Sequence, residues 1–336
     1  MKRMSKIRIV LYTAGSFWLA ACGNGTGEPS AYGDLLSQSP YGSLTDSIRR
    51  DPQDPALYIR RGILLKNNRQ TLPALADFQK AWALRPSEES GARISQILLE
   101  QSPDSAVQFI RQALTRLPGS LFLQLDLARA YAGLRRTDQA VTVCDSILAR
   151  YPNQVDALMM KSDLLDSRKD TAGSVHALEK AYELAPFDVE LNYELAFKLA
   201  QSKNPRTLSL CDSLIRMDSL GNHAEPYYFQ GVYYANTGDQ AKALDYFTQA
   251  ISHDYNFLDA YLDKGALLYR MKRTAEALKV FQLAATISPA YADAYYWMGK
   301  CQEVLGQPDQ AKANYLRAYG FDKTLVEARD AAARLK

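Results

Sequence analysis

AEPYYFQGVYYANTGDQAKALDYFTQAISHDYNF, residues 224–257, runs directly into LDAYLDKGALLYRMKRTAEALKVFQLAATISPAY, 258–291, and then into ADAYYWMGKCQEVLGQPDQAKANYLRAYGFDKTL, 292–325. Placed one under another, the three stretches agree at fixed offsets. Gly231, Gly265 and Gly299 stand 34 residues apart, as do Tyr227, Tyr261 and Tyr295. The same step separates Ala243, Ala277 and Ala311, then Ala250, Ala284 and Ala318, and the aromatic series Phe247, Phe281 and Tyr315. Small residues at fixed places allow two helices to approach closely, and large aromatic ones fill the space between neighbouring units; Gly231 and Ala243 are read in the first role, Tyr227 and Phe247 in the second.

The pattern extends backward. Residues 55–88 supply Tyr58, Gly62, Ala74, Phe78, Ala81 and a closing Pro86. Residues 121–154 supply Ala128, Tyr131, Ala140 and Pro152, and 155–188 supply Ser162, Ala181 and Pro186. Two units are degenerate. Residues 89–120 keep Ala106, Ala113 and Pro118 but are two residues short in the first helix or the turn. Residues 189–223 keep Ala196, place Cys211 and Leu214 where an aromatic and an alanine are usual, and are one residue long. Proline closes the units at Pro86, Pro118, Pro152, Pro186 and Pro289, where it stops a second helix; Ser219, Tyr255 and Lys323 stand at that place in the others. Lys203-Asn204-Pro205-Arg206 interrupts the helical pattern, so a softer joint is expected near residues 202–223.

A 34-residue period carrying these residues resembles the tetratricopeptide repeat, a helix-turn-helix unit. The resemblance implies an all-α, right-handed superhelical solenoid of about eight antiparallel helix pairs, bounded at 55–88, 89–120, 121–154, 155–188, 189–223, 224–257, 258–291 and 292–325. A lead-in at 41–54 precedes the array, and a polar-faced helix at 326–336 caps it, as stacked repeats require.

In that family the second, fifth, sixth and ninth places of each first helix face a concave groove. Here the N-terminal units put Arg60, Arg93 and Arg129 there, and the later ones put acidic and aromatic residues. The groove residues so implied are Tyr193, Glu194, Phe197, Tyr228, Phe229, Asp259, Asp263, Asp293, Tyr296 and Trp297, alongside Asp156, Asp163, Glu190 and Glu225. Such a surface suits an extended basic or aromatic segment of a partner protein. The competing reading is a set of solvated helix charges with aromatics packed against neighbouring helices. The Lys and Asn clamp by which some members hold a C-terminal carboxylate has no counterpart here.

The N-terminus carries a different signal. Lys2, Arg3, Lys6 and Arg8 precede the mostly apolar run 9–20, too short for an ordinary spanning helix, and the run ends in Leu19-Ala20-Ala21-Cys22. This resembles the lipobox of bacterial lipoproteins. The resemblance implies a signal peptide at 1–21, lipidation of Cys22 with two or three acyl chains, and a stable membrane anchor. Residues 22–40, rich in Gly and small polar residues, are expected to form a flexible tether. Gly23 is not the Asp that retains enterobacterial lipoproteins in the inner membrane, which favours the outer one.

Composition limits the partners. Four of the 40 basic residues lie in the first 21 positions, leaving 36 against 37 acidic ones. A body so near neutrality lacks the footprint that binding to a phosphate backbone needs, so nucleic acid is not an expected partner. Catalytic signatures are also missing. His176, His223 and His253 fall singly in different repeats, and no HExxH, GxSxG or phosphate-loop pattern occurs. Asp259 and Asp263 sit one turn apart on a helix surface without a histidine. Cys144, Cys211 and Cys301 are expected as buried thiols. No cofactor or metal is expected, and the chain reads as a membrane-anchored interaction scaffold of the bacterial envelope rather than an enzyme. The alternative is a glycan-capturing uptake lipoprotein.

Overall fold

The computed structural model describes residues 32–218, 221 and 223–335. The lipobox and the expected signal peptide lie outside them. Among the described residues there are 19 helices and no strands, and the chain divides into two compact units after Arg85.

The first unit holds α1 (Gly33–Ser37), α2 (Gly42–Arg50), α3 (Pro55–Asn67) and α4 (Thr71–Leu84). The stretch expected as tether therefore contains a helical turn, α1, with Leu36 buried. The lead-in is held by a polar chain that the repeat pattern does not announce. Arg61 on α3 donates to both carboxylate oxygens of Asp77 on α4, at 2.8 and 2.7 Å, and to the Thr45 hydroxyl on α2 at 2.9 Å. Thr45 in turn donates to the Leu36 carbonyl at 2.6 Å. Arg61 and Asp77 are both buried, and burial raises the Asp77 pKa in spite of the guanidinium beside it.

The second unit holds seven helix pairs and one closing helix. The pairs are α5 (Glu88–Gln101) with α6 (Pro103–Arg116), α7 (Leu121–Gly133) with α8 (Thr137–Arg150), α9 (Val155–Ser167) with α10 (Thr171–Leu184), and α11 (Val189–Gln201) with α12 (Arg206–Met217). They continue as α13 (Glu225–Thr237) with α14 (Gln240–His253), α15 (Leu258–Arg270) with α16 (Thr274–Ile287), and α17 (Ala292–Val304) with α18 (Pro308–Phe321). Then α19 (Val326–Arg334) closes the series, burying Ala328 and Ala332 against Ala311, Tyr315 and Ala318. Each second helix packs on its own partner and on the first helix that follows it.

The turn inside a repeat has one recurring device. Arg69, Arg135, Lys169, Lys203 and Lys272, and the glycines Gly238 and Gly306, adopt positive φ at the repeat period. At all but Gly238 the next residue donates back to a carbonyl of the last helical turn, as from Gln70 to Leu65 at 2.8 Å and from Gln307 to Gln302 at 2.8 Å. A left-handed residue here closes the helix and satisfies carbonyls that would otherwise lack donors. Gly238 uses the simpler bond to the Tyr234 carbonyl.

The short repeat loses its residues at this turn. Only Ser102 separates α5 from α6, where Leu134–Arg136 separate α7 from α8. Ser102 ends one helix and caps the next by accepting from the Ser105 amide. In the fifth repeat α12 is 12 residues long against 14 in its neighbours, yet Cys211 and Leu214 occupy the core as expected. Where proline is missing, aspartate turns the chain: Asp254 accepts from the Asn256 amide at 2.8 Å and Asp322 from that of Thr324 at 2.7 Å. Ser219 lies outside the described residues.

The aromatic residues expected between repeats do pack there, Phe281 stacking on Trp297 of the next repeat, and they also act inside their own repeats. Phe247 lies over Gly231 of its own repeat, and an added Cβ there would meet its ring at 2.6 Å. Phe78, Phe281 and Tyr315 cover Gly62, Gly265 and Gly299 at 2.6, 2.5 and 2.7 Å. Only glycine leaves room for a ring so close to a helix axis. Tyr227 stacks on His253 of the same repeat, with centroids 4.3 Å apart and planes 11° from parallel.

Candidate functional site

The first helices α11 and α13 owe their position to small residues on their inner faces, Ala196 and Gly231, which seat against Cys211 and Phe247 of their own second helices. Their opposite faces carry the fifth, sixth and ninth places, and there the two helices frame a hollow of about 540 Å³. Tyr193, Glu194, Phe197, Tyr228, Phe229 and Asp259, six of the ten residues expected in the groove, line it together. Glu190 and Glu225 lie on its rim.

The walls form one connected set of rings. Phe197 stacks on Tyr228 at 6.2 Å and meets Phe229 at 5.3 Å, Tyr193 meets Phe229 edge-on at 6.1 Å, and Phe257 meets Tyr228 edge-on at 5.1 Å. Tyr228 and Phe229 are buried, so they form the floor, while Tyr193 and Phe197 are half-buried and present surface. Burial raises the Tyr193 hydroxyl to about 12, aided by the charges of Glu225 and Asp218. The Tyr228 hydroxyl donates to Asp263 at 2.8 Å. Burial and then the Asp263 carboxylate hold that phenol far above its ordinary pKa.

Glu194 is the site's most perturbed acid. Burial first, then the charge of Asp163 and a hydrogen bond with it, raise its pKa to about 7. Its Oε1 is sealed from solvent without a hydrogen-bond partner. Lys198, one turn further on α11, pairs instead with Asp166 at 2.6 Å.

The remaining expected residues lie outside this hollow. Asp263 is occupied by Tyr228. Asp293 has its pKa raised by burial and by the charges of Asp322 and Asp259. Trp297 stacks on Phe281 at 5.6 Å, with Lys300 4.2 Å over its ring, and so serves packing. Tyr296 lines a second hollow, of about 800 Å³, with Lys300, Glu303, Glu327 and Arg334. In the second unit the N-terminal basic row is neutralised locally, Arg93 by Glu89 at 3.4 Å and Arg129 by Asp126 at 2.7 Å.

Sequence reasoning missed His223 and Phe257, which complete the hollow. Both precede a first helix, Phe257 as the N-cap of α15, and no sequence signal marks either as part of the site. Cys144, Cys211 and Cys301 are buried free thiols. Burial raises Cys144 to about 11 and the other two to about 12. Among the described residues no three His, Cys, Asp or Glu side chains gather as metal ligands do.

Comparison with known proteins places this architecture. A tetratricopeptide repeat family model matches residues 98–164 and 268–317, and a second such model matches 228–292. Cellulose synthase operon protein C of Xanthomonas axonopodis pv. citri is 32% identical over 164 residues, 46% of this chain, and the chain spans only 11% of that protein. An uncharacterized protein of Methanocaldococcus jannaschii is 40% identical over 65 residues, 19% of this chain and 76% of that protein. Among solved structures, a tetratricopeptide repeat protein from Parabacteroides merdae superposes with a TM-score of 0.60 at 15% identity, covering 73% of this chain and 97% of that one. The all-α chain, with its ring-over-glycine helix pairs repeating every 34 residues, belongs to the tetratricopeptide repeat family, whose repeats serve as protein–protein interaction scaffolds.

Proposed function

We propose that the chain is a lipid-anchored scaffold of the bacterial envelope that docks an extended segment of a partner protein along the first helices of its later repeats. The observation that carries the docking half is the hollow between α11 and α13: aromatic walls, an acidic rim, and no Lys or Arg in its lining. Desolvated aromatic surface supplies most of the energy in protein interfaces, and rim charge selects and steers the partner. The acidic row continues through Asp259, Asp263 and Asp293 on α15 and α17. The anchoring half rests on Leu19-Ala20-Ala21-Cys22 and the basic, apolar run before it. Among the described residues no helix is long and apolar enough to cross a membrane; in this proposal the acyl chains on Cys22 do the holding.

Two measurements test it. Cells fed an alkyne-bearing fatty acid should label the wild-type chain and leave Cys22→Ser unlabelled; equal labelling removes the anchor. Cross-linking in the native envelope should capture a partner that is lost when Glu190, Glu225 and Asp259 are all changed to Lys. These are rim positions rather than core ones, so the variant keeps its fold. Equal capture by both forms moves the interface off this face.

A further inference from the structure

The composition of the hollow between α11 and α13 selects its occupant. Its walls are aromatic rings, whose faces carry the negative lobe of the quadrupole. Its rim carries Glu190, Glu225 and Asp259, with Glu194 half-buried beside them, and no Lys or Arg lines it; His223, 3.9 Å from Glu225, is the one basic side chain in the lining. An anion is repelled by both. A neutral apolar group would cover the rings but leave the carboxylates of Glu190, Glu225 and Asp259 without an added donor or counter-charge. A metal ion needs a compact set of ligands, and the described residues form no such set.

A guanidinium meets all of these demands together. It is planar and stacks on an aromatic face, it keeps its charge at any working pH, and it offers five N–H donors in a rigid fork that fits carboxylates. An ammonium supplies the charge without the flat face. A volume of about 540 Å³ exceeds one side-chain head and leaves room for the flanking backbone of an extended chain.

We infer that the hollow between α11 and α13 takes the guanidinium of an arginine carried on an extended basic segment of a partner protein. The guanidinium plane stacks on the Tyr193 and Phe197 rings, and the fork donates to a rim carboxylate of Glu190 or Glu225. This inference rests on the docking reading above and narrows it to one chemistry.

The test titrates the full chain in detergent micelles with the peptide acetyl-Gly-Ser-Arg-Gly-Ser-Arg-Gly-amide. Twins carrying citrulline, the neutral isostere, or lysine in place of arginine are run beside it. The arginine peptide should bind at least ten times more tightly than the citrulline twin and more tightly than the lysine twin. Its binding should weaken at least tenfold in a Glu190→Gln, Glu194→Gln, Glu225→Gln variant of unchanged far-ultraviolet circular dichroism, and in Tyr193→Leu, which keeps bulk and removes the ring. Equal binding of arginine and citrulline peptides, preference for lysine, or no binding of any peptide overturns the inference. Should a partner still be captured in the envelope and lost on charge reversal while the peptides fail to discriminate, docking stands and the arginine assignment falls; loss of both results removes both.

Discussion

Gly265→Ala puts a methyl group where the Phe281 ring already lies, 2.5 Å from Cε1 and Cζ. Ordinary contact begins near 3.4 Å, so the ring must withdraw by about 1 Å within a close-packed helix pair. Overpacking of this kind costs about 1–3 kcal/mol, while replacing glycine inside a helix returns about 1 kcal/mol. The overlap of about 1 Å places this case in the upper part of that range, so the expected net loss is about 1–2 kcal/mol. Phe281→Leu alone creates a void and loses its stack on Trp297, and should cost about 1–2 kcal/mol. In the double variant the methyl group enters the space the ring has left. Gly265→Ala then becomes neutral or favourable by about 1 kcal/mol, giving a coupling of about 1–3 kcal/mol.

The chain already contains this exchange. Where the first helix carries Ala128, Ser162 or Ala196, the second carries Cys144, Leu178 or Cys211 rather than a ring, and all six are fully buried. Because a stack of repeats opens locally, the readout is native-state hydrogen exchange at amides of α15 and α16 rather than one melting curve. Additive effects, with coupling below about 0.5 kcal/mol, would refute the claim that glycine and ring are chosen for each other.

Three further outcomes are expected. Arg61→Met leaves Asp77 buried without its ion-pair partner and should destabilise the first unit by about 3–5 kcal/mol, with Arg61→Met, Asp77→Leu recovering most of it; proteolysis at α1 and α2 reads both, and equal losses would show that the unpaired Asp77 charge is not the source of the loss. Glu194 holds its proton more tightly in the fold than in the unfolded chain, its pKa rising from 4.5 to about 7. The folded state therefore binds more protons across that window, stability falls as pH rises through it, and Glu194→Gln should flatten the slope in urea titrations at pH 5 to 8; an unchanged slope assigns it to another group. Lys272 sits at φ 60°, so Lys272→Val should cost about 1–2 kcal/mol while Lys272→Gly stays within about 0.5 kcal/mol of wild type, read by exchange at the end of α15.

The helical repeat was legible because a helix pair that stacks on copies of itself must reuse the same small and large residues at the same offsets, and the 34-residue spacing survives at 121–154 and 155–188, where residues change. The helix pairs run from α3 at Pro55 to α18 at Phe321. Less was legible wherever a side chain's partner lies across the fold. Arg60 and Arg61 are neighbours in sequence, yet one is exposed and the other buried on Asp77, because one step along a helix turns a side chain by about 100°. The ten groove residues share a periodic place, but only the structure separates Tyr193 and Phe197, which face the hollow, from Trp297, which stacks on Phe281, and Tyr296, which faces a different hollow.

The sequence by itself determined the helical class and the period of its repeat, since both follow from local periodicity, and the family resemblance pointed to the row of acidic and aromatic residues on the later first helices. Tertiary structure alone decided which of those residues meet. Phe257 and His223 reach the hollow from outside the helices, and Glu194 loses its solvent only when α9 and α13 flank α11. Burial and charge proximity are properties of several elements packed together, and no single repeat contains them.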